Sequence, residues 1–381
     1  MSVTVASDIR EQAAQRFAQL GWPSTKLEEW KYTNVAPISR VDWRFDERPK
    51  PVEPLTFING RGPTSPTPHP LFAKYADYMR HPFVALNTAN AQDGALIVIP
   101  DGQVVEGPIH LHFIGEGDGI WSHPRNLIVV GRNAQVTVVE TYSGSGNYFT
   151  NAVTEIVAGD GAVVDHTRLQ CESGDAFHVS TVQIHQERAS SVTARTIAFG
   201  SLLSRLETNV ALKGEGASLT LDGLFVLSGR QHVDNQTLID HARPHCDSLE
   251  LYKGILDGSA RGIFDGRIIV RPDAVKTNSR QTNHNLLLSE TAIVDSKPTL
   301  EIHNDDVKCN HGSTIGQLDE DAMFYLRARG IGESEARNLL VYAFASEIVD
   351  RIKTDAVREQ VRRTMFAYMP DRLPERRELP R

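Results

Sequence analysis

Cysteine is scarce in this chain: three residues, Cys171, Cys246 and Cys309, among 381. Their odd number and wide spacing exclude a disulfide framework and point to a reducing cytoplasm. No run of about 18 apolar residues exists, so no membrane-spanning helix is expected. The N-terminal MSVTVASDIREQAAQRF lacks the charged, apolar, small-residue order of a secretory signal. An excess of positive charge is also missing. The 40 Lys and Arg are outnumbered by 48 Asp and Glu, a net charge of −8, which argues against a nucleic-acid binder that must neutralise phosphates. There is no G-x-x-x-x-G-K-[ST], so the chain is not expected to be an ATPase by itself. Cys-x-x-Cys, His-Glu-x-x-His and Gly-x-Ser-x-Gly are absent too.

What is present divides into three parts, expected at 1–83 (helical and irregular), 84–316 (a β core) and 317–381 (helical). The first helix is read from Asp8 paired with Glu11 as an N-cap, with Ile9, Ala13, Phe17 and Leu20 on one face and Gly21 closing it. A proline-rich stretch from Arg48 to Pro70 reads as an irregular crossing segment. From about Leu96 to Ile302, short β-branched or alternating runs recur between Gly, Asn, Asp and Ser, as strands do. No amphipathic helix separates them, which disfavours a βαβ sheet. A small residue after Gly, Asn, Ala or Ser opens a strand at Ala134, Ala162, Ser190 and Ala217, at intervals of 28, 28 and 27, with looser counterparts at Ala260 and Ala292. Such a period suggests stacked coils, a parallel β-helix. A β-sandwich or jelly roll is the alternative, but it asks for frequent Asn-Gly or Asp-Gly hairpins between well-formed strands. The tail turns helical at Asp319; Ala336, Leu339, Leu340, Ala343, Phe344 and Ile348 then fall at helical spacing, followed by a helix from about Asp355. That face is either core or a docking surface for a partner.

The chemistry-bearing feature is Cys309-Asn310-His311. In an extended segment, residues i and i+2 share a face, roughly 7 Å apart, and a thiolate and an imidazole can meet one metal at about 2.0–2.3 Å. Two ligands leave coordination open, which suits transfer or completion by a second chain. The plain reading is a buried small hydrophobe at Cys309 and a turn residue at His311. His241, His245 and Cys246 form a loop-like cluster around Pro244, His284 and His303 sit on strands or turns, and Cys171 reads as core.

The run from Asp305 to Ile331, DDVKCNHGSTIGQLDEDAMFYLRARGI, resembles the C-terminal signature of SufD proteins in the SufB/SufD family. LEEWKYT, from Leu27 to Thr33, is similar to the family's N-terminal motif, and EARNLLVYAFASEIVDRI resembles its last helical hairpin. Gly312 after His311 favours SufD over the sister SufB, whose segment carries Glu there. The resemblance implies a right-handed parallel β-helix between helical regions, and a scaffold role in iron–sulfur cluster assembly. It implies pairing with a SufB-like subunit through the β-helix, docking of a SufC-like ATPase on the C-terminal helices (Ala336, Leu339, Leu340, Ala343, Phe344), and sulfur arriving from a cysteine desulfurase. His311 is then the implied iron ligand and Cys309 its interface neighbour. All-thiolate iron–sulfur sites take four cysteines, so this chain is expected to hold no cluster stably alone; a transient cluster or iron would be shared with SufB, and reduced flavin would join in the complex. An open sheet edge would let the isolated chain associate, and the sequence leaves open whether it forms a homodimer or pairs only with SufB. A β-helix carbohydrate-active enzyme would need clustered carboxylates on one face, whereas Asp305 and Asp306 are adjacent. A standalone metal-dependent enzyme built on Cys309, His311 and nearby histidines is the remaining rival.

Overall fold

A residue in the left-handed region, followed by a small buried one, opens six successive strands of one sheet. In the computed structural model, which describes residues 2–48, 53, 55–64 and 69–368, the left-handed residues are Asn133, Gly161, Ala189, Gly216, His245 and Lys276. The residues after them are Ala134, Ala162, Ser190, Ala217, Cys246 and Thr277, none more than 1% exposed. Positive φ turns the chain sharply. The next side chain then packs on its counterpart in the coil about 4.8 Å away, where only a small one fits. This is the physical content of the sequence period. Its continuation is Cys246 and Thr277, at intervals of 29 and 31. Ala260 and Ala292 open Arg261–Val270 and Ile293–Ile302, which belong to the other sheet; alanine marked the wrong column because serine, cysteine and threonine fill the same space.

The protein is mainly β, a parallel solenoid of about eight turns. The first sheet orders Thr56–Ile58, Val104–Glu116, Gln135–Ser145, Val163–Cys171, Ser191–Ala198, Ser218–Leu227, Asp247–Leu256, Asn278–Leu287 and Lys308–Gly316. The second runs from Leu96–Ile99 through Arg125–Val130, Tyr148–Ala158, Phe177–Gln186, Leu203–Leu212, His232–His241 and Arg261–Val270 to Ile293–Ile302. Neighbouring strands pair in parallel throughout, which excludes the hairpin sandwich. The strands begin earlier than Leu96: Thr56–Ile58 lies within the segment read as irregular, and Phe57 starts a ladder in which Phe113 and Tyr142 stack at 4.9 and 4.8 Å. Aliphatic residues fill much of the interior, each full burial contributing about 1.5–3 kcal/mol.

Helices cover the two ends of the chain. The first, Ser2–Leu20 (α1), runs straight through Asp8, so Asp8 is not its cap; Gly21, at φ +67°, does end it. Ala36–Ser39 (α2) and Pro82–Asn90 (α3) follow. The LEEWKYT segment clamps the N-terminal region to the outside of the second sheet. Buried Arg205 donates to Asp234 at 2.6 Å, to Glu207 at 2.8 Å and to the Glu29 carbonyl at 2.8 Å. Its guanidinium lies 3.9 Å from the Trp30 ring centre, and the Thr33 hydroxyl donates to Asp234. At the other end, Asp319 caps Glu320–Ala328 (α4) by accepting from the Asp321 and Ala322 amides. Glu333–Val349 (α5) and Asp355–Tyr368 (α6) then cover the outer face of the first sheet. There Val341, Ala345, Ile348, Val357, Val361 and Met365 pack against Leu169, Ile197, Leu224 and Leu251. Beneath these helices both faces of the sheet are buried, as along Val163–Cys171, Ser191–Ala198 and Ser218–Leu227.

Candidate functional site

Among the described residues, no strand pairs beyond the last coil of the solenoid. Lys308–Gly316 is the last strand of the first sheet and Ile293–Ile302 the last of the second, each paired on one side only. The interior side chains of this final coil therefore face out of the open end. Ser313 Oγ meets Ser296 Oγ at 2.8 Å across the two sheets, which places Ser313 inward. By the two-residue period, Cys309, His311 and Ile315 share its face. Register confirms the column: Cys309 aligns with Ser279, His311 with Gln281 and Ser313 with Asn283, and these three partners are buried at 0% exposure.

The two sequence-chosen donors sit differently. Cys309 is partly buried and packs on the interior core; burial raises its thiol above the usual range, against a backbone hydrogen bond from Ser279 that lowers it. It is thus a thiol at neutral pH and becomes a ligand only when something takes its proton. His311 is exposed, and an imidazole nitrogen is the commonest metal donor among side chains. Among the described residues, no group of three or more His, Cys, Asp or Glu converges as a metal site. This chain offers two donors on one rim.

The other histidines lie elsewhere. His241 is buried and bonded to Ser248 at 2.9 Å; burial pushes its pKa down to about 4. His245 is a left-handed turn residue, and the Cys246 thiol donates to the Gly214 carbonyl at 3.3 Å. His284 points to the outer face and meets Thr314 at 2.6 Å, while His303 bonds Glu301 at 2.9 Å beside the edge strand. Cys171 packs on the outside of the first sheet beneath the C-terminal helices, its thiol raised to about 12 by burial. The residues behind His311, namely Gln281 and Glu250, escaped the sequence reading. Their signal is the coil period, which sets Gln281 30 positions before His311.

The helix face chosen from spacing is divided. Ala336 is core, at 0% exposure. Phe344 is half-buried, with the Lys253 ammonium over its ring at 4.6 Å, and Leu340 is also half-buried. Leu339 and Ala343 are exposed. The large apolar residues that face out near them are Phe324 and Tyr325 on α4, 74% and 56% exposed.

Comparison with known proteins meets this geometry from another side. Residues 113–344 match the family model described as SUF system FeS cluster assembly, SufBD core domain. Residues 1–54 and 68–111 match that of the SufBD protein N-terminal region. The chain is similar to an iron–sulfur cluster assembly SufBD family protein of Synechocystis, 33% identical over 93% of this chain and 89% of that protein. It is also similar to the iron–sulfur cluster assembly protein SufD of Escherichia coli, 28% identical over 97% and 94% of the two chains. SufD of Bacillus subtilis is 29% identical over 74% and 65%. With the core model spanning well over half its length, this chain belongs to the SufBD family of iron–sulfur cluster assembly proteins.

Proposed function

We propose that this protein is the SufD-like, non-ATPase scaffold subunit of an iron–sulfur cluster assembly complex, working in a reducing cytoplasm. One observation carries the reading: two unpaired parallel strand edges frame an open solenoid end, with Cys309 and His311 on its inward face. Unpaired edges are templates for further strands. A SufB-like subunit with a matching solenoid end would satisfy them and bury the exposed Ile302 and Ile315. The nascent cluster is cargo at that interface. His311 supplies an imidazole, Cys309 a thiolate once iron displaces its proton, and the partner the remaining ligands. Reduced flavin would act in the assembled complex, and sulfur would arrive from a cysteine desulfurase. A SufC-like ATPase docks on the C-terminal helices through the exposed Phe324, Tyr325 and Leu339, close to the spacing-derived face but shifted onto α4. Movement of the ATPase would then bias opening of the interface, a two-state coupling.

The test is reconstitution with SufB-like and SufC-like subunits. His311→Ala should leave the complex assembled yet lower the iron and acid-labile sulfide it retains by about tenfold or more, the scale of disrupted metal sites. Unchanged iron and sulfide would remove His311 from the site. Failure of the wild-type chain to co-purify with such partners would remove the scaffold reading itself.

A further inference from the structure

Behind His311 the inward column continues into the solenoid. Gln281 stands in register with His311 on one side and with Glu250 on the other. Both are buried at 0% exposure, and adjacent rungs lie about 4.8 Å apart. Gln281 Nε2 donates to Glu250 Oε2 at 2.7 Å. With Glu250 ionised, that bond sets the sense of the amide, because a carboxylate oxygen accepts from the NH2 and not from the carbonyl. Gln281 Oε1 is left without a hydrogen-bond partner among the described residues. A buried acceptor left unpaired costs about 1–3 kcal/mol, and such an atom calls for a reason. The fold even makes room for this amide: a Cβ on Gly266 of the facing sheet would lie 2.4 Å from Gln281 Nε2.

We infer that Gln281 is a positioning residue for His311, its Oε1 accepting the imidazole N–H that turns toward the solenoid interior. The other ring nitrogen is then left bare and directed out of the open end. Histidines that bind metals commonly donate their second N–H to such an acceptor, which sets tautomer and ring orientation. His311 is on the next rung, in register with Gln281, and the bond requires its ring to turn inward. Glu250 acts one rung deeper, holding the amide so that it offers oxygen and not NH2. This inference rests on reading His311 as an iron donor, and it adds what selects the donating nitrogen.

The experiment uses the full-length chain labelled with nitrogen-15 histidine, without iron or partners, and reads the two ring-nitrogen shifts of His311. His311→Asn assigns the signals. In the wild-type chain one tautomer should dominate. Gln281→Leu should move both ring nitrogens toward the ratio of a free imidazole, with the fold intact by circular dichroism. If Gln281→Leu does not fold, Glu250→Gln carries the same test, since it keeps the shape while freeing the amide to rotate. Ring-nitrogen shifts unchanged in the folded variant would overturn the inference. The readout involves no cluster, so it stands apart from the functional reading: intact assembly by His311→Ala would refute the ligand role and leave the tautomer result as it is.

Discussion

Glu250 sits where a carboxylate is costly, sealed in the solenoid with one oxygen paired to Gln281 and the other unpartnered. Burial pushes its pKa up to about 7, against the hydrogen bond from Gln281 that lowers it. The native state therefore holds this proton more tightly than the unfolded chain does. Below the ordinary glutamate pKa both states are protonated and folding carries no penalty. As pH rises toward 7 the native state must either keep a proton the unfolded chain has released or bury a charge, so stability falls and then levels off. A rise from 4.5 to about 7 corresponds to a loss on the order of 3 kcal/mol, at 1.36 kcal/mol per unit. Glu250→Gln removes this dependence. Urea midpoints of the two proteins should diverge in favour of the variant between pH 5 and pH 8. A constant separation across that range would show that Glu250 is ionised throughout.

At the level of elements, a dense clamp fastens the LEEWKYT segment to the second sheet. Arg205 is shared among Asp234, Glu207, the Glu29 carbonyl and the Trp30 face, and Asp234 is itself buried at 1% exposure. Removing one partner of a buried ion pair leaves the other charge stranded, typically at 3–5 kcal/mol. Arg205→Ala should cost about that much and free the Leu27–Thr33 segment, seen as a lower melting temperature and as new proteolytic cleavage near Lys26 or Lys31. Arg205→Lys should rescue little, because an ammonium cannot replace a planar fork stacked on indole. Wild-type cleavage kinetics in Arg205→Ala would show that other contacts hold the segment. The conspicuous LEEWKYT motif thus has a mechanical explanation here, with Trp30 and Thr33 as its working residues.

For the molecule as a whole, the last coil of the solenoid matters most to association: its two strands are each paired on one side only, and Ile293, Ile302 and Ile315 are exposed there. Open edges favour pairing with another chain, so the isolated protein is expected to form a homodimer at high concentration. Charge on an edge is the usual defence, and Ile302→Lys with Ile315→Lys should shift the sedimentation profile to monomer. The same pair should also weaken capture of a SufB-like subunit. A dimer that survives both changes would place the contact elsewhere.

Composition and spacing by themselves determined a good deal. A strand period near 28 specifies coils, since every coil must repeat its tight turn and small packed residue; the helical tail was readable from Asp319, Gly330 and the apolar spacing of α5 and α6. The Asp305–Ile331 signature carried the family. What spacing could not carry was direction and depth. Ala336 and Leu339 are three apart on one helix, yet one is core and the other exposed, because the approach of α5 to the first sheet sets the boundary. Asp8 looked like a cap because local capping rules cannot tell that a helix already started at Ser2. Above all, Cys309 and His311 were visible as a pair, but their place on the last, unpaired rung was not. Only the stacking of coils brings Gln281 and Glu250 behind His311, since that neighbourhood joins residues about 30 positions apart in sequence through strand register.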